Sequence, residues 1–521
     1  MSESQAPQVQ KTSLLRSSSI VSVMTLLSRV LGLARDVIVA QYFGARADAF
    51  FVAFKIPNFF RRLFAEGAFS VAFVPVLTEY RSQRSLDEVR LLVSRVSGML
   101  GMVLLAVTCA AMLGADYLPW IFSPGFRSDP EKFALTGDLL AITFPYLFLI
   151  SLTALCGSIL NSYGRFAVPA FTPVLLNVSM IGATLCLTPY FEQPIMALAW
   201  GVLIAGVAQL LFQLPFLAQI KLLPVPRPNR KDPGVKRIMT LMIPALFGVS
   251  VSQINLLLDT VLASFLQTGS ISWLYYADRV QQLPLGVIGI AIGTALLPTL
   301  SRQLQGDDPK TAMYSQNRGI EIALLLTLPA AVALGVMGLP VINVLFERGA
   351  FGSEETLMTG MALTVFAFGL PASVLVKVLA PGYFARQDTK TPVKIGIIAM
   401  VTNMVLNVIL MIYLAHVGLA LATGLSAALN ASLLYIGLRK RGVYSPNAGW
   451  AVFGLKLLLA NAVMLALLLW LTPQASAWGD WTAWQRAGQL FGLIGAAAVV
   501  YFVLLTLLGI RLRQLVRPLS R

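Results

Sequence analysis

The chain has little of what soluble catalysis uses. Its 521 residues include one histidine, His416, which excludes a metal site built on histidines and a histidine-based catalytic triad. The three cysteines, Cys109, Cys156 and Cys186, lie in apolar stretches without CxxC spacing. They read as small core hydrophobes, not as metal ligands or disulfides. Charged residues make up only 12% of the chain, about half the share in soluble proteins. Acids are the scarcer sign, 23 against 39 Lys and Arg, for a net charge of +16. Such an excess suits nucleic acid, but no basic, aromatic-interleaved soluble domain is present to bind it. No nucleotide-binding loop occurs, and no long hydrophilic loop offers the catalytic acids a membrane glycosyltransferase or polymerase needs. The chain reads as a carrier, not an enzyme.

What is present is apolar. Hydrophobic residues are 57% of the chain and mean hydropathy is +0.77. Windows of about 20 apolar residues, the length that crosses a bilayer, recur from end to end. About fourteen are counted, from Ile20–Phe43 to Gly488–Leu508. The fold class is therefore an all-α polytopic membrane protein. Loops after even-numbered spans hold the cations, such as Arg81, Arg84 and Arg90, Arg227 to Arg237, and Arg439 to Arg441. The opposite loops are poorer in cations, and several carry acids (Asp116, Glu131, Glu192, Glu354, Glu355, Asp480). By the positive-inside rule both termini are expected in the cytoplasm, with the basic loops against anionic membrane lipids.

The sequence repeats itself. FVPVLTEY from Phe73 echoes LLPTLSRQ from Leu296, pairing Pro75 with Pro298, and at the same offset of about 223 residues Asp36 meets Asp259. TPVLLN from Thr172 echoes TPVKIG from Thr391. Two six-span lobes follow, at 13–222 and 238–441, after a polar, disorder-prone stretch at 1–12 and on either side of a basic linker at 223–237. Six is even, so the lobes share one orientation, related by a pseudo-two-fold along the membrane normal with a site between them. A last helix pair and basic tail, 442–521, lies outside the repeat. It reads equally as a surface for a lipid chain or as an assembly element.

Charge inside the spans marks the functional region. SRVLGLARD from Ser28 and DAFFVAFKIPNFFRRLFAEGAF from Asp48 carry Arg29, Arg35, Asp36, Asp48, Lys55, Arg61, Arg62 and Glu66. Each charge at mid-bilayer costs about 2.5–3.5 kcal/mol on insertion scales, so the set needs a water-filled cavity to point into. Snorkelling to headgroups accounts for Arg46 and Asp48 at a helix end. At about 100° per residue, Asp48, Lys55, Asn58, Arg62 and Glu66 share one helix face, with Pro57 kinking it. A cationic stripe with an acid at each end fits an anion. Purely structural ion pairing is the alternative. The second lobe adds Asp259, Asp278, Arg279 and Lys377, with Asp278 and Arg279 at the repeat position of Lys55 and Ile56. Beyond them Gly286, Gly289 and Gly293 provide a small-residue face for tight packing or for a hinge.

These stretches, with SWLYYADRVQQLPLGVIGIAIGTALLPTLS from Ser272 and VKVLAPGYFARQDTKTPVK from Val376, resemble the MurJ (MviN) family of lipid II flippases across nearly the whole chain. The resemblance implies the multidrug/oligosaccharidyl-lipid/polysaccharide (MOP) exporter fold, with a C-terminal pair shaping a groove for a polyprenyl tail. It implies a bacterial inner-membrane protein of peptidoglycan synthesis whose substrate is lipid II, undecaprenyl-pyrophosphate-MurNAc-pentapeptide-GlcNAc. Cell-wall enzymes are further candidate partners. Arg29, Arg35, Arg61 and Arg279 match the family's essential cavity arginines. Lys55, Arg62 and Lys377 match cationic positions in or beside that cavity, and Asp48 and Glu66 match polar ones. With Asp36, Asp259 and Asp278 the acids are read as gating or charge partners. No cofactor is expected; the membrane potential or a monovalent cation is the expected energy source. The alternative is another exporter of the superfamily, for drugs, cations or other polyprenyl-linked saccharides. Acids and aromatics would be expected there in place of clustered arginines.

Overall fold

The computed structural model describes residues 6–62, 69–446 and 449–510. They divide into two compact units, 1–269 and 270–521. The described part of the first unit forms α1 (Ala6–Phe43), α2 (Asp48–Phe60), α3 (Phe69–Gln83), α4 (Leu86–Leu113), α5 (Leu118–Phe122), α6 (Pro130–Thr143), α7 (Pro145–Ser162), α8 (Ala167–Cys186), α9 (Met196–Gln219) and α10 (Pro233–Ser264). The second forms α11 (Ser270–Pro284), α12 (Ile290–Gln305), α13 (Pro309–Phe346), α14 (Ser353–Phe384), α15 (Lys390–Lys440), α16 (Trp450–Leu471), α17 (Ala475–Asp480) and α18 (Ala483–Leu507). Helix α1 begins at Ala6, inside the stretch that composition marks as a disordered tail. Ala, Gln, Val and Lys in that stretch are compatible with helix.

The termini of these helices are written in the sequence. Ser85 and Glu88 close a capping box on α4. Asp129, Asp232 and Asp308 each cap a helix that opens on proline, α6, α10 and α13 in turn. A proline at the first helical position has no N–H to lose, and the cap oxygen satisfies the donors that follow.

Ten helical stretches among the described residues are long and apolar enough to cross a membrane. One of them, α15, is two crossings: Ala415 breaks it with φ 49°. There the chain doubles back, so that a Cβ on Gly418 would fall 2.3 Å from Leu410 O, and Ser426 Oγ donates to Ala399 O at 2.7 Å. The charge-bearing α1 and α10, and α2 and α3 on either side of residues 63–68, are helical as well.

Repeat positions fall on like elements. Pro75 lies inside α3 and Pro298 inside α12; Asp36 lies in α1 and Asp259 in α10. Each copy also loosens to π-helical turns after its charged helix, at 61–62 and at Leu285–Gly289. By packing, however, α10 groups with the first unit. Arg237 Nη2 lies 2.8 Å from a Glu79 oxygen at one end, and at the other Gly125 N–H donates to Ser264 Oγ at 3.1 Å.

Each unit has its own apolar core. Phe69, Phe73, Leu77, Leu155, Ile159 and Leu217 join α3, α7 and α9 in the first; Leu296, Leu370, Val374, Val378 and Leu434 join α12, α14 and α15 in the second. Lipid tails are as apolar as leucine, so close packing at small residues supplies much of the cohesion. Gly369 and Gly424 touch backbone to backbone, where a Cβ on Gly369 would sit 2.6 Å from Gly424 Cα. Helices α16 and α18 lie against α13 and are tied to it at three points. Trp450 Nε1 donates to Asn317 Oδ1 at 3.1 Å, Tyr501 OH donates to Leu325 O at 2.8 Å, and Arg486 pairs with Glu347 at 3.5 Å.

Candidate functional site: charged helices within the spans

In the first unit the site is carried by α1 and α2. Helix α8 fixes α1: Asn177 Nδ2 donates to Ser28 O at 3.0 Å, and Arg35 Nη1 reaches Met180 Sδ at 3.8 Å. Arg35 and Asp36 are buried together, with side chains 7% and 2% exposed. Arg35 donates from Nε and Nη2, at 3.0 and 2.6 Å, to the same Asp36 oxygen. Nearly two helical turns earlier Arg29 is exposed.

Along α2 the charges are graded. Asp48 is buried, Lys55, Asn58 and Arg61 are half-buried, and Arg62 is exposed. Asn58 links the turn, its Nδ2 donating to Phe54 O at 3.0 Å while its Oδ1 accepts from Arg61 Nε at 3.1 Å. Arg61 and Arg62 sit in the π-helical turn after Pro57. The regular 100° step therefore ends before them, and the single straight face drawn from the sequence stops at Asn58. Glu66 lies outside the described residues.

Asp48 does not snorkel. Its Oδ2 accepts from Lys132 Nζ at 3.0 Å and from Gly269 N–H at 2.7 Å. Lys132 also reaches Thr268 Oγ1 at 3.3 Å and lies 4.1 Å from the Phe126 ring centroid. Spacing does not flag Lys132, because in the sequence it stands beside Pro130 and Glu131 as an ordinary loop charge. Asp259, in α10, is half-buried.

In the second unit α11 carries Asp278 and Arg279, both half-buried, and Asp278 accepts from Gln282 Nε2 one turn on. Gln281 anchors the helix by donating to Phe366 O of α14 at 2.7 Å. Lys377 of α14 lies over two glycines: a Cβ on Gly289 would sit 3.0 Å from Lys377 Cδ, and one on Gly293 would sit 3.1 Å from Lys377 O. Those glycines make room for the lysine stem. Among the described residues no group of three His, Cys, Asp or Glu could hold a metal ion.

The chain matches the family model "Lipid II flippase MurJ" over residues 39–482. It is 50% identical over 511 residues to the probable lipid II flippase MurJ of Vibrio cholerae, covering 96% of this chain and 97% of that one. It is 40% identical over 509 residues to the lipid II flippase MurJ of Burkholderia cenocepacia, covering 96% and 98%. A solved structure of a lipid II flippase MurJ in an inward closed conformation is similar at TM-score 0.78 and 30% identity, over 95% of this chain and 99% of that one. A multidrug-resistance transporter of the MATE family within the MOP superfamily shares the fold at TM-score 0.67 and 15% identity, over 81% of this chain and 97% of that one. The chain belongs to the MurJ family of lipid II flippases, multi-pass transport proteins of the bacterial inner membrane.

Proposed function

We propose that this flippase carries lipid II from the cytoplasmic to the periplasmic leaflet by alternating access, with the cations of α1 and α2 in the first unit and of α11 and α14 in the second as its cargo-binding groups. The observation that carries the reading is the accessibility of charge within apolar spans. Arg29 and Arg62 are exposed, and Lys55, Arg61, Arg279 and Lys377 are partly so. Facing lipid, each would cost several kcal/mol; facing water beside an anion, each is favourable. Guanidinium forks match phosphate oxygens two at a time, and lipid II joins its sugar-peptide to its undecaprenyl chain through a pyrophosphate. Arg29, Arg61 and Arg279 receive that anion, with Lys55, Arg62 and Lys377 adding field. Arg35 stays with Asp36 while no cargo is bound. Asp48, Asp259, Asp278 and Glu66 act as charge partners that the cargo displaces or that gate its path.

Both termini are assigned to the cytoplasm. The basic loops lie on that side, and exposed Tyr117, Tyr190, Tyr413, Trp470 and Trp484 lie in loops or at helix ends on the other, as an interfacial aromatic belt. No covalent step is needed. Moving one net charge through 100 mV is worth about 2.3 kcal/mol, so the membrane potential is the proposed driver, with a monovalent cation at Asp36 or Asp259 as the second candidate. The basic loops are the surface offered to the cell-wall machinery. A drug or cation exporter is disfavoured by the arginines themselves.

The test is the sidedness of lipid II in cells depleted of the protein, read with an external agent that acts only on outward-facing lipid II. A fall in the outward pool with a rise in the inner pool supports the proposal. An unchanged outward pool with wall synthesis still arrested overturns it.

A further inference from the structure

A groove of about 470 Å³ opens at the basic end of the first unit, lined by Asp87, Arg90, Leu91 and Ser94 of α4, Ala218 of α9, and Lys221, Leu223, Val225 and Arg227 of the segment that follows α9. It lies apart from the charged helices α1 and α2. Its shape is set by backbone. The linker crosses α4 at Gly98, where a Cβ would fall 2.5 Å from Pro228 N, and Arg227 N–H donates to Ser94 O at 3.0 Å. Lys221 takes the left-handed conformation, φ 59°, which turns the chain out of α9, and its carbonyl accepts from Arg90 Nε at 2.8 Å.

Charge and apolar surface are arranged together. Asp87, the one acid, is engaged by Arg90 at 2.9 Å. Lys221 and Arg227 have no carboxylate partner among the described residues, so the groove carries uncompensated positive charge. Its apolar walls are exposed, Leu91 at 37%, Leu223 at 48% and Val225 at 53%. Leu91 lies on the helix face that continues along α4 as exposed Met102 and Leu105, and Ala218 on the face that continues along α9 as exposed Val207 and Leu211. The α9 wall thus runs on into an exposed apolar stripe, whereas on α4 the linker crosses the Leu91 face at Gly98 before Met102 and Leu105.

From this arrangement we propose that the groove is a discrete binding site for one anionic phospholipid, its phosphate on Lys221 and Arg227 and its chains along the α9 stripe. A soluble phosphate or acidic peptide would use the cations but has no use for an apolar wall that continues along α9. The site shares no lining residue with the charged helices α1 and α2, and the proposal does not depend on which polyprenyl lipid is the cargo. The lipid bound there fastens the inter-lobe linker to α4.

The test uses the purified full-length protein in mixed micelles of neutral detergent with phosphatidylglycerol or phosphatidylcholine, read by native mass spectrometry as lipids retained per chain. The wild type is expected to retain one phosphatidylglycerol in preference to phosphatidylcholine. A basic residue near an anionic surface is worth about fivefold in affinity, so K221N with R227Q should weaken that retention about 25-fold. Asparagine tolerates the left-handed backbone at 221. K310Q, on a different basic loop, should leave it unchanged, and L223N, which keeps every charge, should also lower it. Equal loss in K310Q and in the groove variant would mean diffuse attraction and overturn the site. So would no preference in the wild type, or no loss in the groove variant. Displacement of the lipid by millimolar inorganic phosphate would show a simple anion site and overturn the lipid assignment. An unchanged thermal midpoint of the groove variant confirms that loss of lipid is not loss of fold.

Discussion

Asp48 and Lys132 form a buried ion pair, 3.0 Å apart with side chains 2% and 12% exposed, that joins α2 to α6. Breaking a buried pair from one side strands the other charge and costs about 3–5 kcal/mol, whereas replacing both partners costs far less. D48N or K132M alone should lower the thermal midpoint of the purified protein by several degrees, and the D48N/K132M double variant should recover most of it. A double variant as unstable as the sum of the singles would show that the two groups act independently.

Arg279 supplies the direct check on the cargo-binding cations. R279A should abolish rescue of a depletion strain while the protein remains inserted at wild-type level on an immunoblot. R279K should restore only a minor part, because an ammonium cannot grip two phosphate oxygens in one plane. Full rescue by R279A would remove this residue from the cargo-binding groups.

At the basic end of the second unit, Asp388 is held by Arg441, Thr391 and the Thr391 backbone N–H, which together push its carboxyl down to about 2. The folded value is depressed below the ordinary 3.8, so the contribution of this clamp is fully present above about pH 4 and is lost as pH falls toward 2. D388N should speed amide exchange across 385–391 at pH 7. The difference from wild type should persist down to pH 4 and fade as pH falls through about 2.

The close crossing at Gly98 predicts a steric effect. G98L should lift the 223–228 strand from α4 and make the linker a preferred site of limited proteolysis. Cleavage at the wild-type rate would show that the strand finds another seat.

Much of this architecture is legible in the sequence because hydropathy reports spans directly, and intramembrane charge is rare enough to stand out. Arg35 and Asp36 announce themselves as neighbours in an apolar run. The repeat, too, is carried by landmarks, Pro75 with Pro298 and Asp36 with Asp259, that fall on like helices. What stays hidden depends on non-local geometry. Asp48 reads as a helix-end charge able to reach water because its partner is 84 residues away and looks like part of a loop. The π-helical turn at 61–62 is a change of winding that periodicity assumes away. The grouping of α10 with the first unit is set by contacts such as Arg237 with Glu79, which no repeat pattern encodes. The basic groove needs the left-handed turn at Lys221, which nothing about lysine foretells.

The three ties between the C-terminal helices and α13 bear on motion. Trp450 and Tyr501 grip that helix at Asn317 and Leu325, before its break at Met337, and Arg486 reaches Glu347 just past its end. A pair held at three heights can neither slide nor roll along its support. It behaves as a keel for the limb before Met337: a swing of that limb would carry α16 and α18 with it. A lipid tail lying along them would ride with the hull instead of being scraped from it.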